Sequence, residues 1–285
     1  MTKSNFVLLV VALTCAGCSP AGFQDPMYQR QAAELLRGKS TAKAATAGAA
    51  KSTTTGWATL KGVFKFDGSA PPAGAMSTAG KDVQVCGQQV PVQSLEVDSA
   101  TGGIANIVIF ARSKVSRVFD GGKKEHERVF DQQHCLFLSH VMAVQTKVDT
   151  VLIKNSDPIS HNTSLSPPGN ESINPLLPPK GEVSYKFNKQ LIMPAEVTCS
   201  IHPWMKAYLL ARDDPYVAVS AKNGSFEIAN LPAGEEIEFQ VWHEKAAGGG
   251  LTAKPAWKSG RFKLKLTADK TEDLQTITVP TGAFQ

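Results

Sequence analysis

Short stretches in which apolar and polar residues alternate follow one another along the chain after Trp57, and Gly, Pro, Asn and Asp separate them. Alternation with a period of two is typical of half-buried β-strands, whereas amphipathic helices repeat about every 3.6 residues. The pattern therefore predicts an all-β fold built from sandwiches. The predicted strands are Ala58–Phe66, Ile104–Ala111, Val141–Thr146, Asp149–Asn155, Asn162–Leu165, Glu182–Phe187, Ala195–Cys199, Ala207–Ala211, Tyr216–Ser220, Ser225–Ile228, Glu236–Trp242, Arg261–Leu266 and Leu274–Val279.

One turn in this pattern is especially well defined. Asn223-Gly224 separates the apolar residues Val219 and Phe226. Both turn residues tolerate the positive φ that a tight two-residue turn requires. The segment is therefore predicted to be a β-hairpin.

The N-terminus has the features of an export signal. An apolar run, Phe6 to Leu13, follows Lys3 and ends in small residues. It is shorter than the roughly 20 residues needed to span a bilayer. Gly17-Cys18 resembles the bacterial lipoprotein processing site, which implies a signal peptide over residues 1–17 and a lipid on Cys18. Ordinary signal cleavage nearby is the alternative.

Residues 18–56 are predicted to form a flexible, disordered tether. The stretch from Lys39 to Thr55 is rich in Ala, Thr and Lys and has almost no large apolar residue. Such a segment cannot bury enough apolar surface to fold. The mature protein is therefore expected to be exported to the periplasm or cell envelope and attached to a membrane through its lipid.

Composition and charge narrow the class of partner. The chain has 285 residues, 42% hydrophobic and 19% charged, which is typical of a globular protein. Its net charge of +5 is spread along the sequence without a basic cluster. Nucleic-acid binding needs such a cluster, so nucleic acid is excluded as a partner.

The stretch from Gly224 to Gly234 resembles the second half of carboxypeptidase-regulatory-like, transthyretin-like β-sandwiches. The first half of that pattern occurs far upstream, in Leu60–Pro71 and Gly103–Phe110. The resemblance implies one discontinuous sandwich over residues 57–113 and 214–282, interrupted by an inserted domain over residues 114–213. Two independent domains in sequence are the alternative.

The inserted segment carries the residues with metal-binding chemistry. Cys199, His202 and Met205 follow one another at intervals of three, and His161 ends a predicted strand further upstream. Thiolate and thioether ligands together with imidazole favour copper, and a His₂Cys plane with a long axial Met is typical of electron-transfer sites. Zinc could use the same residues, but a thioether suits it poorly.

At these residues the sequence resembles the cupredoxins, the blue type 1 copper proteins of the amicyanin and plastocyanin type. The resemblance covers about Val141 to Arg212 and implies a Greek-key β-sandwich with one copper. His161, Cys199, His202 and Met205 match the four ligand positions of that family. The expected function is transfer of single electrons without enzymatic activity, and the expected partner is a c-type cytochrome or another redox protein that docks transiently.

The same resemblance assigns roles to residues around the ligands. Asn162 is expected to brace the ligand loop. The edge of the His202 imidazole, with Pro203 and Trp204 beside it, is expected to be the electron port. The Pro-rich and Asn-rich stretch Ser166–Lys180 departs from the family pattern, and its place relative to the copper is left open.

Other copper functions fit the sequence less well. A dinuclear copper centre needs a second Cys on the loop, but position 200 is Ser and position 203 is Pro. Multicopper oxidases need His-x-His pairs, and the six His residues form none. The remaining rival is a surface lipoprotein that binds copper, a glycan or the cell wall and has no redox partner.

The chain has five cysteines, of which Cys15 lies in the signal, Cys18 carries the lipid and Cys199 binds the copper in this interpretation. The other two, Cys86 and Cys135, are expected to form a disulfide, because an exported protein matures in an oxidising compartment.

Three histidines have two interpretations each. His134 and His140 could hold a metal or be hydrogen-bonded structure. His243 could be functional or only pack at a strand end.

Overall fold

A computed structural model describes residues 56–120 and 125–284 of the chain. The expectations for the signal peptide, for lipidation of Cys18 and for the tether fall on residues outside this range, and they stay predictions. Within the described residues, no helix is both long and apolar enough to cross a membrane.

Strands dominate the described residues, so the predicted all-β class is confirmed. The helical elements are one short helix, α1 (Val83–Cys86), and two 3₁₀ turns, Ala247–Gly249 and Thr281–Ala283. The strands in chain order are β1 (Trp57–Phe66), β2 (Ala75–Ser77), β3 (Gln89–Pro91), β4 (Val108–Ala111), β5 (His126–Gln133), β6 (Leu136–Phe137), β7 (Val141–Gln145), β8 (Asp149–Asn155), β9 (His161–Asn162), β10 (Ser164–Leu165), β11 (Leu176–Leu177), β12 (Glu182–Tyr185), β13 (Ala195–Thr198), β14 (Lys206–Arg212), β15 (Val217–Val219), β16 (Ser225–Pro232), β17 (Glu236–Trp242), β18 (Arg261–Lys265) and β19 (Thr271–Val279).

Strands near the two ends of the described residues pair with each other. β1 lies between β16, which is antiparallel to it, and β19, which is parallel. A second sheet has the order β15-β4-β17-β18. The strand after Asn223-Gly224 thus pairs with Ala58–Phe66, as the discontinuous sandwich implied, with Leu60 opposite Ile228. The β-hairpin predicted at Asn223-Gly224 is wrong, because β15 and β16, on either side of this turn, belong to different sheets. Among the described residues, β1 pairs with no strand between Val141 and Arg212.

The middle of the chain forms its own sheets around a second core. One sheet has the order β10-β13-β14-β7, another has the order β12-β8-β5-β6, and β9 pairs with β11. The alternation pattern did not predict β5, which runs parallel to β8. Its sequence is HERVFDQQ, and only Phe130 and Gln132 are fully buried. The strand therefore shows no alternation of apolar and polar residues, since it begins with three polar residues and one of its two buried side chains is Gln132.

β4 contributes to both cores. All four of its residues are buried, and successive side chains of a strand point to opposite faces. Val108 and Phe110 pack in the core of the middle segment, whereas Ile109 and Ala111 pack in the core between the two terminal sheets. The sheet β15-β4-β17-β18 is therefore covered on both faces. The division into a carboxypeptidase-regulatory-like and a cupredoxin domain at residues 113 and 214 stays a prediction.

A buried arginine fastens this shared sheet to the middle segment. Arg212, at the end of β14, is 4% exposed, and its guanidinium donates to the carbonyls of Leu191, at 2.9 Å, and Ala111, at 2.8 Å. The same group lies 4.9 Å from the centre of the Phe110 ring. Hydrogen bonds to both segments offset the cost of burying this charge.

Replacing Gly224 by Ala is expected to destabilise the fold. Gly224 has φ +80°, and an added Cβ would lie 2.0 Å from the Phe64 carbonyl oxygen, so both the turn and β1 must shift. We expect the free energy of unfolding, measured by urea denaturation, to fall by at least about 2 kcal/mol.

The matched control is Gly102→Ala. Gly102 has φ +70°, but an added Cβ would meet nothing within 4 Å, so this variant reports only the backbone strain of about 1 kcal/mol. Equal losses in the two variants would contradict the proposed clash with β1.

Candidate metal centre

Three potential ligand atoms meet in the interior of the middle segment. The Nδ1 atoms of His161 and His202 are 2.8 Å apart, and the Cys199 sulfur lies 4.0 Å from the first and 3.9 Å from the second. Both imidazoles are completely buried, and Cys199 is 1% exposed. His161 begins β9, whereas Cys199 and His202 lie in the turn that joins β13 to β14. The strand pairing thus brings together residues that are 38 and 41 positions apart.

The turn that carries Cys199 is closed by its own backbone. The Cys199 N–H donates to the Met205 carbonyl at 3.2 Å, and the Met205 N–H donates to the His202 carbonyl at 2.9 Å. Met205 is completely buried. The backbone therefore holds the fourth predicted ligand residue on the same compact turn as the other two.

Asn162 links this turn to β9, in the place where the sequence analysis expected a brace. Its side-chain carbonyl accepts hydrogen bonds from the backbone N–H of Ser200 at 2.8 Å and of Ile201 at 3.2 Å. The Cys199 sulfur lies 3.4 Å from the same oxygen. Since Asn162 directly follows His161, these bonds fix the position of one imidazole relative to the thiol.

The outer nitrogen of each imidazole contacts a carboxylate. His161 Nε2 lies 2.8 Å from Asp157 Oδ2, and His202 Nε2 lies 2.8 Å from Asp82 Oδ2. A carboxylate at Nε2 keeps the proton there and leaves the Nδ1 lone pair for a metal. Both imidazoles are therefore oriented to offer Nδ1 to the space beside the Cys199 sulfur.

The surroundings shift the pKa values of the ligand residues. Burial alone would lower the pKa of His161, but the hydrogen bond to Asp157 and the neighbouring Cys199 raise it to about 9. Burial lowers the pKa of His202 despite the contact with Asp82. The pKa of the Cys199 thiol lies below its ordinary value, because the contact with His161 and backbone hydrogen bonds outweigh its burial. The site thus favours the thiolate, which is the metal-binding form.

The donor chemistry fits copper. Two imidazoles, a thiolate and a nearby thioether form a soft donor set, and burial of all four residues is typical of electron-transfer copper sites. His161, Cys199 and His202 would hold the ion, with Met205 as a fourth donor. The same donors suit zinc less well, because a thioether binds zinc weakly.

The predicted Cys86–Cys135 disulfide is present, and the Cα atoms of the two residues are 5.3 Å apart. It adjoins the metal-binding residues: both sulfur atoms and a ring nitrogen of His202 lie within 4.8 Å of one another. The disulfide therefore lies beside the candidate site as well as joining the first part of the chain to the middle segment.

The His202 edge that is expected to be the electron port does not face solvent, and its role as a port stays a prediction. The imidazole is completely buried, and Asp82 covers its outer nitrogen. Pro203 is exposed and Trp204 is half-buried beside His202, with their ring centres 5.1 Å apart. The Trp204 indole N–H donates to the Cys135 carbonyl at 3.0 Å. Sequence reasoning missed Asp82, because nothing in its local sequence marks a residue 120 positions before His202 as its partner.

The stretch Ser166–Lys180 lies beside the first imidazole. Its strand β11 pairs with β9, so that Leu177 is opposite His161 and Leu176 is opposite Asn162. The Asn162 side chain also donates to Asn174 at 2.6 Å. This stretch therefore supports the β9 side of the site, and the side chain of Leu176 is largely exposed there.

The remaining histidines lie elsewhere in the described structure. His140 contacts the Glu244 carboxylate, and the buried His243 accepts a hydrogen bond from the Lys245 N–H at 3.2 Å. Burial lowers the pKa of His243 to about 3. Among the described residues, no group of three metal-ligating side chains includes His134, His140 or His243.

No protein-family model and no curated protein matches the sequence. Among solved structures, a mutant of amicyanin in the Cu(I) state is 19% identical, with a TM-score of 0.27, and the match covers 36% of this chain and 91% of amicyanin. A copper-containing nitrite reductase from Thermus scotoductus SA-01 is 20% identical, with a TM-score of 0.28, over 30% of this chain and only 22% of the reductase. A purple cupredoxin from Nitrosopumilus maritimus is 16% identical, with a TM-score of 0.25, over 31% of this chain and 100% of that protein. TM-scores at this level do not assign a family, so the function proposed below depends on the donor atoms.

The affinity for Cu(I) is expected to rise with pH. The pKa of His161 is about 9 in the metal-free protein, so at neutral pH a metal must displace a proton from this imidazole. Each displaced proton changes the apparent affinity by about tenfold per pH unit, and this dependence ends once the pH passes the pKa. Competition with a chelator between pH 6 and pH 10 measures it.

Asp157→Asn is the matched variant for this prediction. It keeps an oxygen acceptor for His161 but removes the charge that raises the imidazole pKa. The pH at which the affinity stops rising should therefore fall. A wild-type affinity that does not change between pH 7 and pH 9 would contradict the raised pKa of His161.

Proposed function

We propose that the protein is an exported blue-copper electron carrier, tethered by a lipid on Cys18, with His161, Cys199, His202 and Met205 as copper ligands. The observation that carries the proposal is the convergence of two imidazole Nδ1 atoms and one thiol sulfur within 4.0 Å of one another. Bound copper would supply a one-electron couple between Cu(I) and Cu(II). The expected activity is therefore electron transfer rather than enzymatic conversion of a substrate.

The surrounding residues supply a fixed geometry. Asp157 and Asp82 each accept the proton of an outer imidazole nitrogen, and Asn162 holds the ligand loop through two backbone N–H groups. Side chains that are already positioned move little when the charge of the site changes. Burial of both imidazoles and the thiol excludes water. Both features favour rapid transfer of a single electron.

The chain context supports an exported location. A buried disulfide is typical of proteins that mature in an oxidising compartment, and Cys86–Cys135 is such a bond. A c-type cytochrome or another redox protein of the periplasm or cell envelope would exchange electrons with the site. A surface protein that only binds copper would need no such partner, and measured electron exchange with cytochrome c would separate the two functions.

Copper(II)-loaded protein is expected to show an intense visible band, because a thiolate sulfur bound to Cu(II) gives a strong charge-transfer transition. Cys199→Ser should abolish the band, since a serine hydroxyl is not ionised at neutral pH. Ser200→Ala, which changes the neighbouring loop residue, is the control and should keep it. A colourless wild-type protein that retains zinc in preference to copper would overturn the proposal.

Met205→Leu is expected to leave the copper bound while its reduction potential rises. The substitution removes only a weak axial donor, and that donor stabilises Cu(II) more than Cu(I). Voltammetry and the visible spectrum of both proteins measure the effect. Met193→Leu is the control, because Met193 packs against the same core without a predicted ligand role. If Met193→Leu shifts the potential and Met205→Leu does not, Met193 is the axial ligand.

A further inference from the structure

The outer nitrogens of the two imidazoles are joined to each other by a continuous path of bonds. It runs from His161 through Asp157, Cys135, Cys86 and Asp82 to His202, and we call the four residues Asp82, Cys86, Cys135 and Asp157 the outer clamp. The path contains one disulfide and four hydrogen bonds of 2.8–2.9 Å. None of these residues is a copper ligand in the proposed function.

The Asp157 side of the outer clamp is rigid. Asp157 is 3% exposed. One carboxylate oxygen accepts the His134 N–H at 2.7 Å, and the other accepts the Cys135 N–H at 2.8 Å as well as contacting His161. The Asp157 N–H itself donates to the Asn155 side chain at 3.0 Å. This carboxylate therefore belongs to the interior and ties the turn at Cys135 to the first imidazole.

The Asp82 side of the outer clamp is partly exposed to solvent. The side chain of Asp82 is 38% exposed, although the imidazole that it covers is completely buried. Asp82 lies in the left-handed region at φ 47°, which is uncommon for a residue with a Cβ. Its carbonyl accepts the Cys86 N–H at 2.9 Å across the single turn of α1. A helix of one turn is not stable by itself, so bonds to other parts of the chain must hold it in place.

The disulfide fastens this turn to the site. Cys86 ends α1 and is bonded to Cys135, whose own N–H is held by Asp157. The Cys135 carbonyl accepts the Trp204 indole N–H, and Trp204 packs beside His202. The covalent bond therefore sets the distance between the exposed carboxylate and the buried imidazole.

We infer that Asp82 is a positioning residue for His202 and that the Cys86–Cys135 disulfide holds it in that position. Asp82 accepts the proton of Nε2, turns Nδ1 towards the copper and closes the outer edge of the ring to solvent. This inference rests on the proposed copper site and adds the residues that regulate its affinity and potential. A carboxylate behind an imidazole ligand also makes that ligand a stronger donor, which favours Cu(II) over Cu(I).

The first test compares three variants of the full chain. Asp82→Ala should weaken Cu(II) binding by about 10- to 100-fold and Cu(I) binding by less, so that the reduction potential rises. Asp82→Asn keeps an oxygen acceptor for Nε2–H and should restore most of the lost affinity. Gln84→Ala changes an exposed residue of the same helical turn and should match the wild type.

Chelator competition gives the affinities, and voltammetry and the Cu(II) EPR spectrum report the geometry and potential. An Asp82→Ala protein with wild-type affinity, potential and EPR spectrum would overturn the inference while leaving the proposed function intact. A wild-type protein that binds neither Cu(I) nor Cu(II) would overturn both.

The second test asks whether the disulfide acts through Asp82. The double variant Cys86→Ala/Cys135→Ala should lose affinity as Asp82→Ala does, and adding Asp82→Ala to it should cause little further loss. Residues that act as one unit show such non-additive effects, whereas independent residues show additive ones. Additive losses would overturn the role of the disulfide. If the disulfide variant does not fold, the Asp82 variants still decide the role of Asp82.

Discussion

An imidazole buried without a partner for each of its nitrogens is costly, and this protein buries two imidazoles beside a thiol. Each ring meets that requirement at Nε2 with a carboxylate, while the two Nδ1 atoms are directed at each other and at Cys199. The neighbouring architecture follows from the need to place two carboxylates there. Asp157 comes from the end of β8, next to His161, but Asp82 must be brought from a separate part of the chain.

The need to hold Asp82 beside His202 explains the position of the disulfide. The loop between β2 and β3 has little regular structure, and α1 is a single turn. Hydrogen bonds between Thr78 and the backbone of Gly87 and Gln88 close the base of this loop. Apart from the backbone, the Cys86–Cys135 bond is the only covalent link from this loop to the middle segment within the described residues. Asp82 covers the outer edge of His202, and the half-buried Trp204 packs beside the same ring.

The convergence of Cys199 and His202 on one turn could be predicted from the sequence because the pattern is local. Cys199, His202 and Met205 occupy one turn, and a thiol, an imidazole and a thioether at intervals of three are typical of a loop that binds a soft metal ion. The disulfide followed from assigning the other cysteines. Asp82 could not be found in this way, because its role depends on a contact across 120 residues and on a left-handed backbone that no motif encodes.

The same distinction holds for the fold. The alternation of apolar and polar residues predicted β1 and β8, in which about every second side chain is buried. It also predicted β17, in which most side chains are buried. It missed β5, since a strand that begins with His, Glu and Arg resembles a polar loop. It also gave no sign that the two faces of β4 pack in different cores. A strand of apolar residues alone indicates burial on both faces but not which core covers each face.

β4 and β15 are also the strands at which the chain leaves the shared sheet and returns to it. They are antiparallel neighbours, with Phe110 opposite Val217. The two ends of the middle segment are therefore close together. Burial of Val108 and Phe110 in the core of the middle segment then couples this segment to the shared sheet. Because Arg212 donates to Ala111 at the same junction, a displacement of β14, which begins directly after Met205, would disturb the hydrogen bonds of the shared sheet.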